Sequence, residues 1–151
     1  MNLFRLHPSF KPPRRAEFLV ALSRANRLRH RQDFTAVYQS GLRRNAPHFA
    51  LRALRQPSGA TVMKTAEVMP TRIGISISQK VSKRAVIRNR IKRQIRAAIR
   101  QMLPRIAPGW RLVVVVRPIA VECDYGQILR ELEQLLAEAE VLNGHKRGNL
   151  L

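Results

Sequence analysis

The strongest constraint on the fold is the stretch 80–103, which reads as one amphipathic helix. Its apolar side chains recur at spacings of three and four residues. At about 100° per residue, this spacing places them within an arc of about 120°. The apolar stripe consists of Ile87, Ile91, Ile95, Ala98, Ile99 and Met102. A stripe of this kind has to be buried against another element, so the sequence predicts a helix packed on a core.

The rest of this predicted helix is basic. It carries Arg88, Asn89, Arg90, Lys92, Arg93, Arg96 and Arg100, and no Asp or Glu occurs between Glu67 and Glu122. Surface helices usually interleave the two charges, because each Glu–Lys pair four residues apart contributes about 0.2–0.5 kcal/mol. Lys83 and Arg84 are expected in the first turn, where the helix dipole disfavours cations. A sequence that accepts these repeated costs indicates a polyanionic partner.

The basic charge belongs to the body of the chain. There are 29 Lys and Arg residues against 9 Asp and Glu, for a formal net charge of +20. Six of the nine acidic residues lie in 122–151, which is net acidic, whereas 1–121 is strongly basic. Such a field predicts nucleic acid or an anionic membrane as partner. Because Arg greatly outnumbers Lys, forked phosphate contacts and base stacking are favoured.

Cysteine content and hydropathy exclude several classes of protein. Cys123 is the one cysteine, so no intramolecular disulfide can form and cysteine cannot build a zinc site. No apolar run approaches the roughly 18–20 residues of a membrane span. The apolar piece 18–22 is too short for the core of a signal peptide. We therefore expect a cytoplasmic protein without a membrane partner.

No arrangement of residues predicts catalysis by the protein itself. The acidic residues before the last helix do not form the spaced carboxylate cluster that holds two metal ions. The four histidines are scattered, and neither GxxxxGK[ST] nor GxGxxG occurs. We predict no catalytic residue and no metal site in the protein. Any chemistry in which this chain takes part is supplied by something else.

The predicted order of elements is helix, strand, strand, basic helix, strand, helix. The other elements are a first helix capped by Asp33 and ended by Gly41, strands over 47–55, 72–78 and 110–117, a loop over 56–70, and a last helix from Asp124 to about Leu142. Caps, β-prone runs and glycine stops support these limits. The order predicts an α+β domain with a mixed sheet carrying helices.

Two patterns leave both a structural and a functional reading open. In 72–78, the isoleucines face one way, whereas Arg72, Gly74, Ser76 and Ser78 face the other, which is small and polar. That face lies against either solvent or a ligand. Phe34 and Tyr38 share one side of the first helix, where they could pack in a core or stack on unpaired bases.

The segment 80–96, KVSKRAVIRNRIKRQIR, closely resembles the protein component of bacterial ribonuclease P. That family carries an Arg-Asn-Arg signature followed by x-Lys-Arg, which stands here at 88–90 and 92–93. The resemblance continues through Asn26-Arg27-Leu28, Asp33-Phe34 with Tyr38, Gly41, the strand 72–78 with Lys80, and 113–118. It covers roughly 26–142.

The resemblance implies a fold and a domain plan. The fold is a small α/β sandwich of the α+β class, ribosomal protein S5 domain 2-like. Its central mixed sheet has a left-handed βαβ crossover, against the general right-handed rule. The RNA-binding domain spans 26–142. We expect 1–25 to be a basic, disordered extension and 143–151 a flexible tail.

The resemblance also implies a function. In that family the RNA subunit is the ribozyme, and it removes the 5′ leader from precursor tRNA. The protein binds the catalytic RNA and the single-stranded leader, and it raises the affinity for Mg²⁺ held mainly by the RNA partners. No obligate protein partner is implied.

Site residues carried over by position fall into two sets. Those that would bind the catalytic RNA are Arg88, Asn89, Arg90, Lys92 and Arg93. Those that would line the leader-binding cleft, between the first helix and the sheet, are Phe34, Tyr38, Arg52, Ser76, Ser78, Lys80, Arg88, Asn89 and Arg96. Some members have an aromatic residue where Arg52 stands, so a phosphate contact or a stacked guanidinium would replace one ring. From composition alone, a structural protein that binds ribosomal RNA stays open as the alternative.

Overall fold

The structure, a computed structural model, describes residues 22–56 and 69–142. Most of the predicted N-terminal extension, the loop residues 57–68 and the tail 143–151 lie outside the described residues. Leu22, which precedes the predicted start of the domain, is 3% exposed and belongs to the core. The described chain therefore enters the core a few residues earlier than the resemblance implied.

Within residues 22–56 and 69–142, three α-helices and four strands make up the fold. In chain order they are α1 (Arg31–Ser40), β1 (Leu42–Asn45), β2 (Phe49–Arg55), β3 (Arg72–Ser76), α2 (Ala85–Met102), β4 (Trp110–Val116) and α3 (Tyr125–Glu138). The sheet order is β1-β2-β4-β3, with β3 and β4 parallel and the other pairs antiparallel. This confirms the mixed α+β sheet, while the handedness of the β3–α2–β4 crossover stays a prediction.

Strand β1 was not predicted. It is a short edge strand of sequence LRRN that alternates between half-buried and exposed residues. It forms a hairpin with β2, in which Leu42 pairs with Ala53 and Asn45 with Ala50. Its two arginines and its brevity hide it from a search for β-prone runs, because an edge strand buries little apolar surface.

One face of the sheet packs on α2 and α3. The predicted stripe of α2 is confirmed, because Ile91, Ile95, Ala98, Ile99 and Met102 are all buried, with Ile87 partly buried against the same core. They meet Phe49, Leu51, Ile73, Leu112 and Val114 of the sheet, and Ile128, Leu132, Leu135 and Leu136 of α3. This main core holds the basic helix firmly on its apolar side.

Helix α2 begins later than predicted. Its N-cap is Arg84, whose backbone is extended, and the five residues from Lys80 to Arg84 are not helical. Two serines there bond the backbone locally: the N–H of Lys80 donates to Ser78 Oγ and that of Arg84 to Ser82 Oγ, each at 3.2 Å. Such local bonds compete with helix formation. Lys83 therefore lies before the first turn and not in it.

The last helix begins where predicted. Asp124 Oδ1 accepts from the Gln127 backbone N–H at 2.8 Å, and the Gln127 side chain accepts from the Asp124 backbone N–H at 3.0 Å, which completes a capping box. The helix ends at Glu138, short of Leu142, because the chain turns through Glu140 with φ of 62°. Leu142 is nevertheless buried, beside Ile106.

Helix α1 lies on the opposite face of the sheet, where it forms a second, smaller core with Leu28 and Val113. The prediction of Asp33 as its N-cap is wrong. His30 is the N-cap and makes no side-chain capping bond, while the Asp33 carboxylate lies 3.3 Å from Arg111 Nη1. Asp33 is turned to the sheet because a guanidinium there needs a counter-charge.

Gly41 ends α1 as predicted, but for a different reason. Its φ is −78°, so no left-handed conformation is required. A Cβ at this position would lie 2.6 Å from the carbonyl oxygen of Val37 and 2.9 Å from that of Ala53. Glycine is needed because the end of α1 passes close to the backbone of β2.

Candidate nucleic-acid interface

Strand register places the polar face of the sheet in rows beneath and beside α1. One row consists of Arg43, Arg52, Val113 and Gly74. The next consists of Asn45, Ala50, Val115 and Ser76. Helix α1 contacts the first row, through Phe34 over Gly74 and Tyr38 beside Arg52. The second row lies beside the helix, and we call it the floor row.

Phe34 lies directly on Gly74. A Cβ at Gly74 would come 2.4 Å from Phe34 Cζ and 3.3 Å from Leu28 Cβ. The ring is half-buried and packs against the smaller core of the domain. Phe34 therefore packs against the sheet while part of its ring remains exposed, and its stacking on unpaired bases stays a prediction.

Tyr38 is the more exposed aromatic, at 37%. The guanidinium carbon of Arg52 lies 4.9 Å from the centre of its ring, and Arg52 Nη1 donates to the Tyr38 carbonyl oxygen at 3.0 Å. Cation–π contact and hydrogen bond together fix the Arg52 side chain. Arg52 thus extends the aromatic side of the predicted cleft with a planar cation, a group that suits a base or a phosphate.

The floor row carries short side chains and is only partly exposed. Ala50 is buried, and Val115 and Ser76 are half-buried. Ser78 and Lys80 follow the end of β3 and are exposed. The structure therefore brings Phe34, Tyr38, Arg52 and Ser76 to one face of the sheet, with Ser78 and Lys80 continuing from its β3 end.

The basic residues of α2 keep an open cationic surface. Asn89, Arg90 and Arg93 are exposed, and Arg88, Lys92 and Arg96 are half-buried. Arg88 Nη1 donates to the Ser82 carbonyl oxygen at 2.8 Å, and Arg90 Nη2 to that of Val121 at 3.5 Å. Within the described residues, none of these six side chains contacts a carboxylate.

The surroundings of Arg96 disfavour its charged form. Burial, and then the charge of Arg27, lower the pKa of its guanidinium. Arg27 pairs with Ile73 by a β-bridge along the outer edge of β3, so Arg96 lies at that edge. Helix α2 packs in the main core and α1 in the smaller core on the opposite face of the sheet. Two adjacent cations without a carboxylate form a site suited to a phosphate group.

Three polar residues near the floor row were missed from sequence. Asn45 Oδ1 accepts from Arg117 Nη2 at 3.0 Å and from Arg43 Nε at 3.4 Å. Arg43 and Asn45 were overlooked because β1 was overlooked. The sequence LRRN does not alternate apolar and polar residues, so it carried no local signal for this strand.

Other features of the described residues offer no catalytic centre. No three of their His, Cys, Asp and Glu side chains cluster as metal ligands would. His48 is engaged structurally: its Nδ1 lies 2.8 Å from Glu131 Oε2, and Glu131 Oε1 accepts from the His48 and Phe49 backbone N–H groups. Burial, with Glu131, Asp124 and Glu122 nearby, raises the pKa of the Cys123 thiol, which disfavours a reactive thiolate. None of the described helices is both long and apolar enough to cross a membrane.

Comparisons with known proteins converge on one family. The family model for Ribonuclease P matches residues 22–140. The ribonuclease P protein component of Trichormus variabilis is 58% identical over 140 residues, covering 83% of this chain and 99% of that protein. The protein of the same name from Cyanothece is 58% identical over 130 residues, covering 82% and 99%.

Solved structures show the same similarity at lower identity. The Staphylococcus aureus RNase P protein superposes with a TM-score of 0.66 at 28% identity, covering 80% of this chain and 100% of that one. The Thermotoga maritima protein superposes with a TM-score of 0.59 at 25% identity, covering 74% and 94%. These matches do not favour a ribosomal structural protein.

Proposed function

Since this chain belongs to the bacterial ribonuclease P protein family and is the protein subunit of that endoribonuclease, we propose that it uses two surfaces for two RNAs. The cleft between α1 and the floor row binds the single-stranded 5′ leader of precursor tRNA. The exposed basic side of α2 binds the catalytic RNA. The protein supplies binding and positioning, and the RNA subunit supplies the catalytic groups.

The leader site is supported by the two aromatic rings and the guanidinium that lie together beside the floor row. Phe34 and Tyr38 present ring surface, Arg52 adds a planar cation, and the short side chain of Ser76 keeps part of the sheet beside them exposed. Unpaired bases stack on such surfaces for roughly 1–3 kcal/mol per base, whatever their sequence. A duplex has no free base faces to offer, so the cleft favours a single-stranded leader.

The observation that supports the second surface is the absence of counter-charges on α2. Arg88, Asn89, Arg90, Lys92 and Arg93 have no carboxylate partner in the described part of the chain. Neutralising phosphates with such residues releases counterions, so affinity for RNA should fall steeply with salt. Anchoring by the isoleucine stripe holds these side chains on a rigid helix.

We also propose that Mg²⁺ is held by the RNA partners, as the resemblance implies. A protein that neutralises phosphates allows two RNA chains to approach, and the metal sites between them then form at lower Mg²⁺. The protein would act in the cytoplasm, where precursor tRNA is processed in that family.

Reconstitution with the catalytic RNA tests the function directly. We expect the protein to increase cleavage of precursor tRNA at low Mg²⁺, with a smaller increase at high Mg²⁺. Arg105→Gln serves as a control, because Arg105 pairs with Glu133 at 2.9 Å and belongs to neither predicted set of RNA-binding residues. If the wild-type protein leaves cleavage unchanged at low Mg²⁺, the proposed function fails.

A further inference from the structure

Three arginines gather at the β1 end of the floor row. Arg43 of β1 and Arg52 of β2 are direct register partners in an antiparallel pair. Arg117 follows β4 with an extended backbone, and because its neighbour Val116 faces the main core, Arg117 faces the α1 side. We call Arg43, Arg52 and Arg117 the arginine cluster. None of its members was assigned by sequence except Arg52.

Asn45 is the centre of this cluster. Its Oδ1 accepts from Arg117 Nη2 at 3.0 Å and from Arg43 Nε at 3.4 Å. Asn45 pairs with Ala50 and so terminates the floor row. One neutral oxygen therefore holds two guanidiniums side by side, where a structural ion pair would have a carboxylate.

The arrangement is costly without a ligand. Like charges directly opposite on paired strands destabilise a sheet. Arg117 Nε is buried and finds no acceptor within residues 22–56 and 69–142, which leaves a desolvated donor unsatisfied. None of the three guanidiniums contacts a carboxylate in the same ranges. Forked donors around a missing anion suit the oxygens of a phosphate.

The position of the cluster indicates which phosphate would bind there, a backbone phosphate of a strand that follows the floor row. The floor row runs from Ser76 on β3 across Val115 and Ala50 to Asn45 on β1. At about 4.8 Å between strands, this crossing is roughly 14 Å long. A strand whose bases stack at Phe34 and Tyr38 would carry its backbone along this row and reach the cluster.

We propose that Arg43 and Arg117, oriented by Asn45 and joined by Arg52, bind a backbone phosphate of the 5′ leader. The proposal rests on the proposed function and adds an anion site at the β1 end of the cleft. Asn45 is a positioning residue, because it acts through the two guanidiniums that it holds.

The test uses the reconstituted holoenzyme with Arg43→Gln and Arg117→Gln. We expect each variant to bind precursor tRNA with a leader about tenfold more weakly, because each removes one charge-assisted hydrogen bond to the phosphate. The slope of log affinity against log salt should fall by about 0.7 for each phosphate that is no longer neutralised. Affinity for mature tRNA and for the catalytic RNA should match the wild type.

Arg44→Gln is the matched control. Arg44 is adjacent to Arg43 but faces the other way, where its Nε donates to the Glu138 carbonyl oxygen at 3.4 Å. Arg44 Nη1 also donates to the Arg43 carbonyl oxygen at 2.8 Å, which is a backbone contact. Arg44→Gln removes the same charge without altering any guanidinium of the cluster, so leader affinity should stay at the wild-type value. Asn45→Ala keeps every charge, so it should weaken leader binding while leaving the salt slope unchanged. Thermal unfolding of each free variant separates these effects from loss of the fold.

Two results overturn the proposal. Wild-type affinity and salt slope in both Arg43→Gln and Arg117→Gln would show that no phosphate binds there. Equal losses for mature tRNA or for the catalytic RNA would show that the phosphate comes from another source. Both results can occur while the wild-type protein still stimulates cleavage, so failure of this site is distinct from failure of the proposed function.

Discussion

The ring of Phe34 rests on the backbone of Gly74, so closely that a Cβ at position 74 would lie 2.4 Å from Cζ and 2.7 Å from Cε1. Glycine is required here by the approach of α1 to β3. The contact sets how deeply the first aromatic residue of the cleft sits on the sheet. It therefore couples the stability of the domain to the geometry of the proposed leader site.

Gly74→Ala should push the Phe34 ring off the sheet. We expect unfolding in urea to show a loss of about 1–3 kcal/mol, the usual cost of overpacking. Leader binding should weaken too, because the ring moves. Gly126→Ala is the control, since a Cβ there would meet its nearest atom at 3.4 Å. Wild-type stability in Gly74→Ala would contradict the close approach of the ring.

Phe34→Ala should discriminate between substrates. Loss of one stacked base costs roughly 1–3 kcal/mol, so precursor tRNA with a leader should bind about 5- to 150-fold more weakly. Mature tRNA has no leader and should bind as before. Val86→Ala, which truncates an exposed apolar residue of α2, provides the control. Equal losses for both RNAs would reject a stacking cleft.

Arg88→Ala and Arg90→Ala should weaken assembly with the catalytic RNA. Each phosphate that is no longer neutralised lowers the slope of log affinity against log salt by about 0.7–0.9. Measuring affinity over a range of salt separates this from a general loss of binding. Arg105→Gln removes a charge of the same sign elsewhere and should leave the slope unchanged. An unchanged slope in the two α2 variants would place the catalytic RNA on another surface.

Arg96→Met should stabilise the free protein at low salt. The fold lowers the pKa of Arg96, so the charged form is disfavoured in the folded state. Arginine stays protonated through the neutral range, so the cost is present throughout it and removing the charge relieves it. The gain should shrink as salt screens Arg27. Urea unfolding at low and moderate salt measures the effect.

A lower free energy of unfolding for Arg96→Met at low salt would contradict this prediction. Methionine keeps most of the apolar stem, so a change in packing is a minor contribution. The same variant should bind RNA more weakly, because the repulsion that destabilises the free protein favours an anion. Stability and binding should thus change in opposite directions.

The sequence by itself determined those elements whose burial follows a local period. The stripe from Ile91 to Met102, the Asp124 cap of the last helix and the buried strand through Val113 and Val114 were predicted and found. Helical spacing, a capping side chain and a β-prone run each act within a few residues. These elements are therefore encoded by residues close together in the sequence and do not depend on long-range contacts.

Side-chain hydrogen bonds and ion pairs explain why the predicted starts of α1 and α2 were wrong. Ser78 and Ser82 hold the segment before Ala85 in turns, and Asp33 serves Arg111 instead of capping α1. In each case a side chain that can cap or turn had a choice of partners. The two serines bond backbone groups two residues away, whereas Asp33 pairs with a residue distant along the chain, and periodicity reports neither choice.

Only the tertiary structure decided how the polar side chains combine. Arg52 covers Tyr38, Phe34 sits on Gly74, and Asn45 joins Arg43 to Arg117 from strands that are far apart in sequence. These contacts follow from strand order and register, which arise when the whole core packs at once. A single sequence carries the pattern of which side is buried, but the partner across the sheet is fixed by packing, because register depends on all strands together.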